Sequence, residues 1–244
     1  MKNSVVVISI IAAIAVVVSS WIFGSAYRYK YKSSQTITVN GNAKKDFESD
    51  IAKWSANYSR KNPELKPASE QLAMDREVVR NFLLKQGIPA SAIKFESVNI
   101  DKEYTYHPTG SGGGYNTFSG YNLRQTVSVE SNDLDKVDAV SRDISTLISQ
   151  GVELSSYPPN YYYSKLEDLK LELISQASAN ARQRAENIAR ESGASLADLV
   201  KADLGVFQIT GQNDNEEYSY GGVFNTTSRN KTANITVKAS YLAK

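Results

Sequence analysis

Cysteine is absent from the 244 residues, and histidine occurs once, as His107. The first absence excludes disulfides, thiolate nucleophiles and cysteine-based zinc or iron–sulfur sites. The second excludes a multi-histidine metal site, and no cofactor is expected. A large charge imbalance is missing too: 28 Lys and Arg stand against 26 Asp and Glu, a formal net charge of +2. The basic excess is local, because residues 1–32 carry Lys2, Arg28, Lys30 and Lys32 and no acid. The rest of the chain is slightly acidic. Such a body lacks the electrostatic footprint of a nucleic-acid binder, and no nucleic-acid partner is expected.

Charge is also missing from Asn3 to Tyr27, where "VVVISIIAAIAVVVSSWIF" (Val5 to Phe23) is nearly all apolar. At 1.5 Å per residue this run would span roughly 28 Å, close to the hydrocarbon thickness of a bilayer. Trp21, Tyr27, Tyr29 and Tyr31 would then lie near one interface. The sequence therefore predicts one N-terminal transmembrane helix, with residues 5–23 in the lipid bilayer. Residues 1–32 are read as anchor and flank, and 33–244 as one domain. The alternative is a cleaved signal peptide ending near Gly24-Ser25-Ala26. Its apolar core would exceed the usual length of roughly 7–15 residues. Counting positive flanks mildly favours a cytoplasmic body.

In the body, "TITVNG" (Thr36–Gly41) and "DIAKWSANYSRK" (Asp50–Lys61) alternate at period two and are expected to pair. A helix opening at Pro67 presents Ala68, Leu72, Val79 and Leu83 on one face and closes at Gly87. "AIKFESVNIDKEYTY" and "YNLRQTVSVE" form the next strand pair, joined by the flexible "HPTGSGGGYN". Asn132 or Asp133 caps a second helix with Val137, Ile144, Leu147 and Ile148 inside, ended by Gly151. A third helix runs from about Lys165 to Ser192, before Gly193. "DLVKADLGVFQIT" and "TANITVKASYL" flank the polar loop "GQNDNEEYSYGG". The order ββαββαβαββ predicts an α+β fold of antiparallel hairpins and three main helices.

Within the third helix, Leu166, Leu173, Ala177, Ala181, Ala185 and Ile188 fall on about one third of the circumference. That makes a core stripe whose small residues allow close approach. Arg182 and Arg190 lie opposite, with Glu186 between them as an ion-pair ladder, while Arg184 points elsewhere. The arginines form no single basic face.

The pattern AxxxARxRAxxIAxxxG in Ala177–Gly193 resembles the most recognisable part of the SIMPL-domain family. "ITVNGNAK", "FLLKQGIPASAIK", "GYNLRQTVSVE" and "LDKVDAVSRDISTLISQGV" agree in that order, over about residues 35–242. Ser49-Asp50 stands where many relatives have Pro-Asp, and Leu196-Ala197 where many have Leu-Gly. The resemblance implies a bacterial envelope protein with its body outside the cytoplasm. Some relatives are linked to oxidative-stress defence or known as surface immunogens. It implies no catalytic residues.

The residues agree. "GSGGGYN" lacks the Lys-Ser/Thr and strand–loop–helix setting of a phosphate loop. Asp133, Asp135 and Asp138 lack calcium-loop spacing and suit a helix start. His107 has no nucleophile-elbow sequence beside it, and Asp214, Glu216 and Glu217 read as a solvated loop. The fifteen tyrosines are the class that suits an interface, chiefly Tyr157, Tyr161, Tyr162 and Tyr163. The chain is thus expected to be a membrane-anchored, non-enzymatic assembly or interaction module, a homo-oligomer through strand edges or tyrosine-rich loops. A glycan- or peptide-binding module is the alternative, ahead of a hydrolase.

Overall fold

The computed structural model describes residues 13–27, 36–110 and 112–244. Residues 13–27 are helical (α1). Among the described residues, no helix is long and apolar enough to cross a membrane. This corrects the transmembrane helix expected over Val5–Phe23. Within residues 13–27, Ser19, Ser20, Gly24 and Ser25 interrupt the apolar run. Residues 5–12 of the expected span lie outside the described residues.

The body holds two antiparallel-dominated sheets. In the first, β1 (Thr36–Glu48) pairs antiparallel with β11 (Asn230–Ala243) along its whole length, from Thr36 opposite Leu242 to Glu48 opposite Asn230. On its other side β11 pairs with β8 (Leu196–Leu204) and with β9 (Gln208–Gly211), which carries the short parallel β10 (Val223–Phe224). In the second sheet, β2 (Ile51–Asn62) pairs with β5 (Gly114–Ser131), flanked by β3 (Ile93–Phe95) and β4 (Asn99–Pro108). β6 (Glu153–Ser156) and β7 (Asn160–Tyr162) lie on the far side of β2.

The expected β1–β2 pairing is therefore corrected: the two strands sit in different sheets, and Ser49-Asp50 carries the chain between them. The sequence there has no Asn-Gly or Asp-Gly turn to fold a tight hairpin. The expected order also gains short strands, because β3, β6, β7 and β10 are too brief to show a period of their own. The β4–β5 pair with its glycine-rich connection forms as read.

Helix α2 (Leu65–Lys85) starts two residues before Pro67, which still falls in the first turn, where no N–H is needed. It packs Ala68, Leu72, Val79 and Leu83 on Trp54, Tyr58, Leu123 and Val127 of the second sheet. Helix α3 (Leu134–Asp143) joins the same core through Val137 and Val140. Its N-terminus is capped by Asp133, whose carboxylate accepts a hydrogen bond from the Lys136 N–H at 3.1 Å. Residues Ile144–Gln150 then tighten into a 3₁₀ helix before Gly151 at φ 84°. The tighter winding turns Ile148 out to solvent, against expectation, while Ile144 and Leu147 stay buried.

Helix α4 (Leu166–Glu191) lies on the first sheet, burying Leu169, Leu173, Ala177, Ala181, Ala185 and Ala189. Its small stripe meets an equally small one on β1. A methyl group placed on Gly41 would overlap the Ala177 carbonyl oxygen and the Ala181 nitrogen and Cβ. Strand and helix backbones are thus in contact. A helix about 10 Å across covers about two strands spaced 4.8 Å apart. α4 covers β1 and β11 and meets β8 at Leu196, leaving the rest of β8 uncovered. That limit sets up the site.

Candidate interface: strand edges and the tyrosine segment

The two edges of the first sheet are finished differently. At the β1 edge, Asn180 of α4 accepts a hydrogen bond from the Asn42 N–H at 3.3 Å, and Arg184 donates to the Asn40 carbonyl at 3.0 Å. Arg184 also donates to the Asn42 side chain. Side chains from the helix thus occupy groups that another strand would use. Arg184 is neither a ligand-gripping residue nor a rung of the ion-pair ladder: it caps an edge. Arg182 pairs with Glu186 at 2.8 Å as read, whereas Arg190 turns to Asn187 and Glu191.

At β8 the outer edge has no strand or side chain on it among the described residues. Leu199 and Leu204 stand opposite Tyr241 and Val237, whose side chains are buried under α4. They therefore lie on the helix side of the sheet but beyond the helix. Leu199 is 54% exposed, Val200 55%, Leu204 55% and the neighbouring Val206 49%. An unpaired backbone edge flanked by apolar side chains is what an added strand requires. The charges of the strand are Asp198, next to Leu199, and Lys201 and Asp203, which pair at 2.8 Å on the opposite face.

The tyrosine segment lies elsewhere, at the junction of the two sheets. Tyr161 is buried: its N–H donates to the Thr226 carbonyl and its hydroxyl to Asp138. Burial, with the Asp138 carboxylate adding to it, pushes that hydroxyl up to about 12. The Tyr162 ring lies 6.5 Å from Phe224 with the Lys53 ammonium 5.3 Å above it, and the Tyr163 ring 4.9 Å from Phe47. Asp50 belongs to the same junction, accepting from the Ser164 N–H at 2.7 Å. Tyr161, Tyr162 and Tyr163 thus fasten one sheet to the other. Tyr157 is half exposed, and its hydroxyl accepts from the Asn57 amide at 3.0 Å.

The other flagged residues are dispersed. His107 is exposed on the β4–β5 pair, 2.8 Å from the Thr117 hydroxyl and stacked on Tyr115. Asp133 caps α3, Asp135 pairs with Arg229, and Asp138 holds Tyr161. Glu216 accepts from Asn225 and from the Gly211 N–H, while Asp214 accepts from the Asn215 N–H. Among the described residues no three His, Asp or Glu side chains are grouped as metal ligands. A groove of about 630 Å³ on the outer face of the second sheet is lined by Lys53, Ser55, Lys94, Ser128 and Glu130, the ordinary polar face of an antiparallel sheet.

One buried group gave no signal in the sequence. Lys231, only 1% exposed, donates to the Asn225 carbonyl at 2.7 Å and to the Ser228 carbonyl, closing the loop before β11. Burial pushes its ammonium down to about 8, with Glu216 pulling the other way. An unfolded chain keeps that proton to about pH 10.4. The unfolded state therefore binds more protons between about pH 8 and 10, and stability should rise with pH across that window. Urea melts at pH 7.5, 8.5 and 9.5 check this: the rise should vanish in Lys231→Met. Parallel curves for the two proteins would contradict it. Above pH 10 the raised Tyr161 hydroxyl acts in the opposite sense, so the window ends there.

A comparison with curated proteins finds no relative of matching sequence. A family model does match, over residues 37–241, from the first residues of β1 to the end of β11. The chain belongs to the SIMPL family, described as a protein of unknown function (DUF541).

Proposed function

We propose that this chain is a non-enzymatic assembly module of the cell envelope that self-associates by joining the β8 edges of two copies. The carrying observation is the contrast between the edges. Asn180 and Arg184 occupy the Asn42 N–H and the Asn40 carbonyl at the middle of the β1 edge, while β8 is left open beside exposed Leu199, Val200 and Leu204. Antiparallel pairing of β8 with its copy is a two-fold contact in which one patch serves both partners. It would continue the sheet across the pair and bring the leucines under a shared cover. The envelope location rests on the family resemblance, and cell fractionation checks it.

Leu199→Lys/Leu204→Lys places two charges on each side of that contact, where like charges repel. Sedimentation velocity of the full chain over a concentration series should show association for the wild type and a shift of at least tenfold toward monomer for the variant. Equal association of the two proteins would refute the β8 contact. A wild type that stays monomeric throughout would refute self-assembly itself.

A further inference from the structure

The β4–β5 pair projects beyond the second sheet as a two-stranded ribbon, since β2 pairs with β5 only from Tyr121 onward. An isolated ribbon is marginally stable in water, and this one carries Tyr104, Tyr106 and Phe118 on one face, with Tyr115 stacked on His107 on the other. Tyr104 lies opposite Phe118 and Tyr106 opposite Asn116, so these four side chains point the same way. Ile100 shares that face, opposite the buried Leu123. The rings run outward in sequence: Phe118 sits 5.1 Å from Tyr121, which packs on the core, and Tyr104 sits 5.9 Å from Phe118. The stripe is the core face of the second sheet continued past the end of α2. Ile100, Tyr104, Tyr106 and Phe118 are 48–58% exposed.

We infer that this face packs against the same face of a second copy. This inference rests on the reading of the chain as a self-assembling module. Residues 104–119 contain no Lys, Arg, Asp or Glu. Lys102, opposite Tyr121, lies on this face between Ile100 and Tyr104. From Tyr104 outward, two such faces meet without like-charge repulsion. The available area also fits. Four large side chains about half exposed contribute on the order of 400 Å² per copy, and ribbon backbone brings the pair to about 1,000 Å², the lower bound for a specific interface. A ribbon contact at one place and a β8 contact at another give each copy two two-fold interfaces. Assemblies larger than a dimer follow.

The cysteine-free chain makes the test direct. In the full chain, Asn116→Cys puts one thiol on the aromatic face and Thr117→Cys puts one on the opposite face. Oxidation should convert most of the Asn116→Cys protein to disulfide dimer, at least fivefold more than Thr117→Cys. Adding Tyr104→Ser/Phe118→Ser should abolish that dimer while leaving the melting temperature of the body unchanged. Equal cross-linking at 116 and 117 overturns the face-to-face contact. Association of the wild type that survives Tyr104→Ser/Phe118→Ser, with no 116 cross-link, overturns the ribbon contact and leaves the β8 contact standing. A wild type that is monomeric throughout overturns both. Binding to phosphatidylcholine vesicles that the ribbon variant loses, without any 116 cross-link, assigns the stripe to a lipid surface and also overturns the inference.

Discussion

Gly41→Val is expected to lower the melting temperature by roughly 10 °C, corresponding to about 3 kcal/mol in a domain of this size. Any Cβ at position 41 runs into the Ala177 carbonyl and the Ala181 nitrogen, which are backbone atoms of α4 and cannot rotate away. The helix must lift off β1, and the lift is felt along the whole alanine stripe. Ala181→Leu attacks the same contact from the helix side, adding about three heavy atoms to a fully buried position, and should cost about 1–3 kcal/mol. Arg182→Ala, one residue on but facing water, loses only an exposed pair with Glu186 and should cost well under about 1 kcal/mol. Thermal melts of the three variants check the ranking. A Gly41→Val protein as stable as the wild type would mean that strand and helix are not in backbone contact.

The second large effect is expected in the other core. Arg60 of β2 reaches Asp75 of α2 through two hydrogen bonds, from Nε to Oδ2 and from Nη2 to Oδ1, the latter at 2.7 Å. The Asp75 side chain is 5% exposed and that of Arg60 29%. Removing Arg60 strands a carboxylate between helix and sheet, beside Tyr58, whose hydroxyl burial already pushes well above its ordinary range. Arg60→Met should therefore cost about 3–5 kcal/mol. Arg60→Met/Asp75→Leu removes both charges and should recover most of that loss, because desolvation outweighs the attraction of the pair. Denaturant melts of the single and double variants separate these. A single variant within about 0.5 kcal/mol of the wild type would show that water reaches Asp75 freely.

The sequence made some of this legible, for identifiable reasons. Helix α4 was readable because its stripe has a strict period, and Ala177, Ala181 and Ala185 are buried as that period requires. The stripe's margins were not readable. Ile188 is half exposed while Leu169 and Ala189 are buried, because the sheet beneath does not extend as far as the apolar arc. The β1–β2 pairing failed because alternation shows that a strand is half-buried but not which strand lies beside it. Arg184 could be placed off the ion-pair ladder, yet its partner, the Asn40 carbonyl, is 144 residues away. The tyrosine run signalled contact correctly in kind, but Tyr161–Tyr163 spend it inside the chain, between the sheets. The openness of β8 was beyond reach, since it depends on how far α4 extends across β11.

Hydrogen exchange measures that openness directly. In the self-association account, the outward N–H groups of Leu196–Leu204 exchange fast in dilute protein and gain hydrogen bonds as copies join. Raising the concentration of the full chain should slow exchange in this strand by at least tenfold, while the Asn42 N–H at the β1 edge, already held by Asn180, stays unchanged. Unaltered exchange in β8 at concentrations where the chain is associated would contradict the account.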